Sequence, residues 1–180
     1  MRHTISVLVH NHSGVLSRVS NLFSARGYNI DSLVVGVTDD PKVSRMTIVV
    51  RGDDRVIDQV EKQLNKLVDT IRVIDLTQDD FIARDLALIK VKADPPSRSQ
   101  VMEIVRCFDG KIVDVALKSF IVEVTGKESK INGMIELLKN YGIIEMVRTG
   151  EVAISRGKKV HEEEEKQVKV KVGKAGQSNL

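Results

Sequence analysis

The sequence has 180 residues, enough for one large domain or two small ones, and its 42% hydrophobic and 29% charged residues are usual for a soluble globular protein. It has no run of about 18 apolar residues and no apolar leader, so we expect a cytoplasmic protein without a membrane span, and its single cysteine excludes an intramolecular disulfide. The net charge of +3 includes +2 from six Lys and four Glu after residue 157, so the remainder is nearly neutral and we expect no nucleic-acid partner.

The first half of the chain predicts the element order βαββαβ. Alternating apolar positions predict strands, and apolar residues at helical spacing predict amphipathic helices. Gly27 is the expected C-terminal cap of the first helix, and Asp53 is the expected N-terminal cap of the second. The predicted elements are a strand at 4–10, a helix with Leu16, Val19, Leu22 and Phe23 on its apolar face, strands at 30–37 and 44–51, a helix after Asp53, and a strand at 71–76.

The second half repeats this order after a short linker predicted near residues 78–84. Ser97 and Gln100 have the spacing of a helix capping box. An offset of 85 residues aligns the two first helices and places Cys107 opposite Leu22, which predicts a buried, inert thiol. The predicted elements are a strand at 86–93, a helix with Val101, Ile104, Val105 and Phe108, strands at 112–117 and 120–124, a helix at 131–138, and one last strand at 144–154.

Two βαββαβ units predict an α+β protein made of two ferredoxin-like domains in tandem. We assign residues 1–78 to the first domain and residues 79–157 to the second, and we interpret residues 158–180 as a charged, disordered tail. Each domain is small, and its sheet has unprotected edges that a second copy of the chain would cover. We therefore expect a homodimer.

The sequence offers few groups for catalysis or metal binding. His10 and His12 could reach one metal ion, but no Asp, Glu or Cys lies close in sequence to complete the ligand shell, so we interpret them as solvent-facing residues at a strand end. Paired carboxylates at 39–40 and 53–54 are explained by a turn and a helix cap. We predict no catalytic residue and no metal site, which favours a binding module.

The segment between the first strand and the first helix has features that suit an anion. The first amides of a helix have no intrahelical acceptor and lie at the positive end of the helix dipole. Gly14 would let a ligand approach the backbone closely, and Asn11 offers both a donor and an acceptor. An ordinary capped turn, with Ser13 or Asn11 as the cap, explains the same residues equally well.

Asn29 adds a polar amide at the start of the second strand. It could meet the start of the first helix across a dimer interface, or it could serve as a turn residue after the helix cap. Together with two loop residues it forms a polar trio, Asn11, Gly14 and Asn29. The second unit has other residues at the aligned positions, namely Pro96, Ser99 and Ile112. This asymmetry indicates that the first unit binds a ligand and that the second does something else.

Short motifs are dense over residues 1–78 and sparser over residues 79–157. They are SGVLSRV at 13–19, RGYNIDSL at 26–33, TDDP at 38–41, SRMTI at 44–48, EKQLNKLV at 61–68, FDGKIVDV at 108–115 and SRG at 155–157. In these segments the chain resembles the small, regulatory subunit of acetohydroxyacid (acetolactate) synthase.

The resemblance implies an N-terminal ACT domain, followed by a ferredoxin-like domain that activates a catalytic large subunit. It implies a non-catalytic regulatory subunit in branched-chain amino acid (valine, isoleucine, leucine) biosynthesis. Feedback inhibition would come from valine, bound between two ACT domains of a homodimer. Thiamine diphosphate, FAD and magnesium would belong to the catalytic partner, which condenses pyruvate with pyruvate or 2-oxobutyrate, and this chain would need no cofactor.

The resemblance also implies which residues contact valine. The family's contacts fall on the polar trio, and the amides near Val15 and Leu16 would hold the carboxylate. Leu16 and Ile30 would form walls for the isopropyl group. An ACT-domain regulator of another enzyme or of transcription is the alternative function, although a transcription regulator would need a DNA-binding helix pair or ribbon.

Overall fold

The computed structural model describes residues 1–157 as two compact units. The first unit is Met1–Ile82, joined by the described residues 153–157, and the second is Ala83–Val152. The predicted charged tail, residues 158–180, lies outside the described residues. Within residues 1–157, no helix has both the length and the apolar character needed to cross a membrane.

The first unit is a four-stranded antiparallel sheet with two helices. Its strand order is β2-β3-β1-β4. Alternate residues of β1 and β3 pack against the buried faces of both helices and form one aliphatic core with a single buried aromatic ring, Phe23. The elements are β1 (Arg2–His10), α1 (Val15–Ala25), β2 (Ile30–Val37), β3 (Val43–Arg51), α2 (Asp54–Leu64) and β4 (Thr70–Asp75), followed by a 3-10 turn (Leu76–Gln78).

Local sequence fixes two of the helix ends as predicted. Gly27 adopts a left-handed φ of +69° directly after α1, and its amide donates to the Ser24 carbonyl at 3.1 Å. The Tyr28 amide donates to the Phe23 carbonyl at 3.0 Å, which completes a Schellman motif. At the start of α2, the Asp53 carboxylate accepts a hydrogen bond from the Val56 amide at 2.9 Å.

The second unit repeats the same topology with its own core. Its sheet has the order β6-β7-β5-β8, and a further strand, β9, pairs with β5. The prediction of an α+β protein with two ferredoxin-like βαββαβ units is therefore confirmed. The elements that follow in the chain are β5 (Phe81–Lys92), α3 (Arg98–Cys107), β6 (Lys111–Val115), β7 (Ser119–Gly126), α4 (Glu128–Lys139), β8 (Ile143–Arg148) and β9 (Val152–Ser155). The first two residues of β5 and the last three of β9 are counted with the first unit.

Three predictions of secondary structure in the second half are wrong. Strand β5 already begins at Phe81, so most of the predicted linker at 78–84 is strand. The predicted last strand is two strands, because Gly150 adopts a left-handed φ of +87° that an extended strand cannot include. The capping box does not form, because Ser97 has helical backbone angles and its hydroxyl donates to the Asp94 carbonyl.

Helix α1 presents a slightly different face to the core than predicted. It buries Val15, Val19 and Phe23, while Leu16 is 46% exposed. The prediction that Leu16 is a core residue is therefore wrong. Leu16 points away from the unit's own core, since one residue turns a helix by about 100°.

The same shift explains the position of Cys107. Helix α3 buries Val101 and Val105, which correspond to the buried positions of α1 at an offset of 86 residues (101 − 15 and 105 − 19). At that offset, Cys107 corresponds to the exposed Asn21 rather than to the half-buried Leu22. The predicted buried thiol is therefore wrong, and Cys107 is exposed.

Candidate functional site

The loop between β1 and α1 is tied to the turn between β2 and β3. The Asn11 amide donates to the Lys42 carbonyl at 2.7 Å. The Asn11 side chain donates from Nδ2 to the Pro41 carbonyl at 2.9 Å. This bond uses one side-chain hydrogen and fixes the amide plane, so the Oδ1 oxygen is held in one orientation as an acceptor.

Gly14 begins α1 without a side-chain cap. Its backbone is left-handed, with φ +86° and ψ −11°, and within residues 1–157 no side chain caps the start of the helix. The alternative prediction of a turn capped by Ser13 or Asn11 is therefore not what the structure shows. Because the amides of Val15 and Leu16 belong to the first turn, they have no intrahelical acceptor and can bind an anion.

A buried carboxylate, Asp69, contacts residues of this loop and of α1. Its side chain is 6% exposed, and its Oδ2 accepts a hydrogen bond from Arg18 Nε at 2.6 Å. His12 Nε2 lies 2.8 Å from Asp69 Oδ1, and His12 Nδ1 lies 3.2 Å from the Ser13 carbonyl oxygen. The Asp69 carbonyl also accepts a bond from the His10 amide at 2.9 Å. Sequence reasoning missed this cluster, since Asp69 lies 51 residues beyond Arg18.

Asn29 and Ile30 lie at the opposite end of the sheet from this loop. Ile30 pairs with Val50 at the far end of β3, whereas Val37 pairs with Ser44 near the loop. Helix α1, with 11 residues, spans about 16 Å between the two ends. Asn29 is exposed, and its Nδ2 donates a long hydrogen bond of 3.4 Å to Asp31.

The predicted ligand residues are therefore not all brought together within one chain. The first loop gathers Asn11, Gly14, Val15 and Leu16 at one end, while Ile30 is half-buried against its own core at the other end. A site that uses both groups needs a second copy.

Strand β2 is an edge of the first sheet and offers a surface for such a copy. Among the strands of residues 1–157, it is hydrogen-bonded to β3 alone. Val35 and Val37 are 41% and 61% exposed on this edge. An edge strand with exposed β-branched residues can pair with a strand of another chain.

Other charged groups of the first unit lie away from this loop. Arg45 donates to the Ser6 hydroxyl at 3.0 Å, and burial together with the nearby Arg72 lowers the pKa of Arg45. Burial and the negative charge of Asp75 raise the pKa of Glu61. Across residues 1–157, no three His, Cys, Asp or Glu side chains are arranged to hold a metal ion.

Comparison with known families assigns both units. Residues 5–72 match a family model described as the AHAS small subunit-like ACT domain. Residues 84–157 match a family model described as the small subunit of acetolactate synthase. The two matches together cover most of the described chain.

Similar proteins carry the same description over nearly their whole length. The probable acetolactate synthase small subunit of Archaeoglobus fulgidus is 53% identical over 159 residues, which is 88% of this chain and 99% of that protein. The acetolactate synthase small subunit of Aquifex aeolicus is 52% identical over 165 residues, 91% of this chain and 85% of that protein. The crystal structure of the acetolactate synthase small subunit from Thermotoga maritima superposes with a TM-score of 0.82 at 42% identity, covering 87% of this chain and 98% of that one.

Proposed function

The chain belongs to the family of acetolactate synthase small subunits, and from that premise we propose that it binds valine and makes a separate catalytic subunit sensitive to it. As a regulatory subunit of acetolactate synthase, it acts through a partner. The observation that carries the proposal is the position of the polar trio: two members at one end of the first sheet, one at the other, and an open edge strand between them.

Two copies paired along β2 would assemble one complete site from two incomplete ones. In an antiparallel β2–β2 pair around a two-fold axis, the start of one strand meets the end of the other. Asn29 would then lie beside the partner's β2–β3 turn. That turn is the one to which Asn11 is hydrogen-bonded through Pro41. The homodimer would hold two equivalent sites, one valine per chain.

Each part of valine has a matching group in this arrangement. The carboxylate would accept hydrogen bonds from the first amides of α1, at Val15 and Leu16. The ammonium group would donate to the side-chain oxygens of Asn11 and Asn29. The isopropyl group would lie against the exposed side chain of Leu16 and against Ile30 of the other copy. Leu16 is not part of the core, so its exposed side chain is available for this contact.

The catalytic chemistry belongs to the partner in this proposal. Thiamine diphosphate, FAD and magnesium would be held by the catalytic large subunit, and this chain would activate that subunit through its second unit. Valine shifts the enzyme only by the difference in its affinity for two states of the assembly, typically about 1–3 kcal/mol. A site between two copies responds to their relative arrangement, which is the property that such a shift requires.

Titration calorimetry with L-valine, together with assays of the reconstituted enzyme, tests the proposal. We expect one valine per chain, a dimer by light scattering, and acetolactate formation that rises when this chain is added and falls when valine follows. D-valine is the control, because its inverted centre cannot place carboxylate, ammonium and isopropyl groups on the same three partners. No heat with L-valine and no effect on the catalytic subunit would refute the proposal.

A further inference from the structure

A guanidinium group lies at the start of α1, beside the amides that the proposed function gives to the valine carboxylate. Arg18 stands one turn into the helix, and its amide donates to the Gly14 carbonyl at 3.0 Å. A Cβ atom built on Gly14 would lie 3.7 Å from Arg18 Nη1 and 4.0 Å from Nη2. The guanidinium therefore covers the side of Gly14 where other residues carry a side chain.

In the part of the chain that the structure describes, one nitrogen atom of the guanidinium is anchored. Nε donates to the buried Asp69 carboxylate at 2.6 Å. Within residues 1–157, Nη1 and Nη2 of Arg18 donate no hydrogen bond, and the side chain is half exposed. Two cationic NH2 groups of a half-exposed, anchored side chain therefore remain available, in the fork geometry that matches a carboxylate.

Asp69 also orients the loop that precedes the helix. Its second oxygen, Oδ1, lies 2.8 Å from Nε2 of His12. The two oxygen atoms of Asp69 therefore contact one residue that precedes Gly14 in the sequence, His12, and one that follows it, Arg18. Moving Arg18 or His12 away is costly, because it would leave the buried Asp69 carboxylate without one of the partners that compensate its charge.

We propose that Arg18 binds the carboxylate of the regulatory amino acid and that Asp69 is the positioning residue that holds the Arg18 guanidinium over Gly14. The inference rests on the proposed function and adds a charged contact to it. The ligand class is a free α-amino acid, since a cation beside open helix amides selects a carboxylate, and the neighbouring Asn11 accepts from an ammonium group.

The test compares L-valine with L-valinol, which replaces the carboxylate by an alcohol, in calorimetric titrations of the full-length chain. Arg18→Gln should weaken valine binding about 10- to 100-fold, the usual value of a hydrogen bond to a charged group. Valinol binding should change less than about twofold. Arg18→Lys should recover part of the valine affinity, because it restores the charge without the fork. Asp69→Asn should weaken valine binding in the same direction as Arg18→Gln.

Arg26→Gln is the matched control, since Arg26 is an exposed arginine at the other end of α1. It should leave both affinities unchanged. Equal losses of valine and valinol affinity in Arg18→Gln would assign a purely structural role to Arg18 and overturn the inference, as would unchanged valine binding. If wild-type protein itself binds no valine, the proposed function fails instead. Arg18→Gln keeps the test valid if Asp69→Asn does not fold, because Arg18 is half exposed.

Discussion

Gly14 meets two demands that other residues satisfy poorly. Its φ of +86° lies in the left-handed region, where a side chain costs about 1 kcal/mol or more. Its open side faces the Arg18 guanidinium, so any side chain there occupies the space in front of that cation. The backbone conformation and the proposed ligand position therefore favour glycine independently, and two substitutions can separate them.

Gly14→Asp should abolish valine inhibition while activation of the catalytic subunit is retained. The new carboxylate would pair with Arg18 and repel the carboxylate of valine. Gly14→Ala is the control, because it adds the backbone strain without the charge, so it should cost about 1 kcal/mol of stability and far less affinity. Calorimetry with valine and assays of the reconstituted enzyme measure both effects. Equal loss of activation and inhibition in Gly14→Asp would contradict separate roles for the two units.

Glu61 should make the stability of the first unit depend on pH. Burial, Asp75 and Asp58 raise its pKa, while a hydrogen bond from the Asp75 amide opposes the shift. The folded state therefore binds more protons at this site than the unfolded state does. Stability should fall as pH rises from 4.5, the ordinary pKa of the group, through the raised pKa.

Glu61→Gln should reduce this decline. The variant has no charge to desolvate, so its free energy of unfolding relative to wild type should be higher at pH 7 than at pH 4. Urea unfolding at both pH values measures the difference. Glu103→Gln, at an exposed glutamate of α3, should show no such change. A Glu61→Gln stability that falls with pH as steeply as that of wild type would rule out Glu61 as the source.

Sequence reasoning reached the polar trio but not the groups that orient it. Gly14 and Asn11 stand in a short loop, where local spacing is informative. Arg18 and Asp69 are brought together by the pairing of β4 with β1. The local sequence around either residue does not predict that the two form an ion pair. The one signal available was that Arg18 follows Gly14 by a single helical turn, on the same side of α1.

At the level of the elements, the proposed homodimer depends on the edge strand β2, because the two copies would pair along it. Within residues 1–157, β3 is the strand that pairs with it in the sheet, and Val35 and Val37 present apolar surface on this edge. Asn29 directly precedes this strand, so the proposed dimer and the proposed ligand site both depend on one element. Any change that prevents β2 from pairing should remove both.

Val37→Asp should produce monomers that no longer bind valine. A carboxylate on the edge opposes strand pairing, because the pairing would remove its charge from water without a compensating partner. Light scattering measures the mass, and calorimetry measures the binding. Val113→Asp is the control, since Val113 is 53% exposed on β6, the corresponding edge of the second sheet. Valine binding should survive in that variant. A Val37→Asp dimer that binds valine normally would exclude the β2 interface.

The order of the elements was predictable because each depends on short-range patterns. Alternating apolar residues, Gly27 and Asp53 marked strands and helix ends correctly. Errors arose where the pattern is ambiguous by one residue. Leu16 and Val15 are both apolar, so the sequence alone does not say which faces the core, and burial of Val15 decided it. The predicted strand at 144–154 included Gly150, and its left-handed φ divides this segment into two strands.

For the whole molecule, the repeat combines a shared fold with different chemistry. Both units use the same strand order around separate cores. The aligned polar trio is present only in the first unit. Under the proposed function, the first unit would sense the amino acid and the second unit would act on the catalytic subunit, and this difference in the polar trio is consistent with that division.

Residues 158–180 should be dispensable for both activities. The second family model ends at residue 157, and the Archaeoglobus fulgidus relative is matched over 99% of its own length by 88% of this chain. A chain shortened to residues 1–157 keeps every group proposed here for valine binding. We expect its valine affinity and its activation of the catalytic subunit to lie within about twofold of the full-length values, a difference well under 1 kcal/mol. If the shortened chain binds valine normally but no longer activates, the tail takes part in contacting the catalytic subunit, and activation cannot be assigned to the second unit alone.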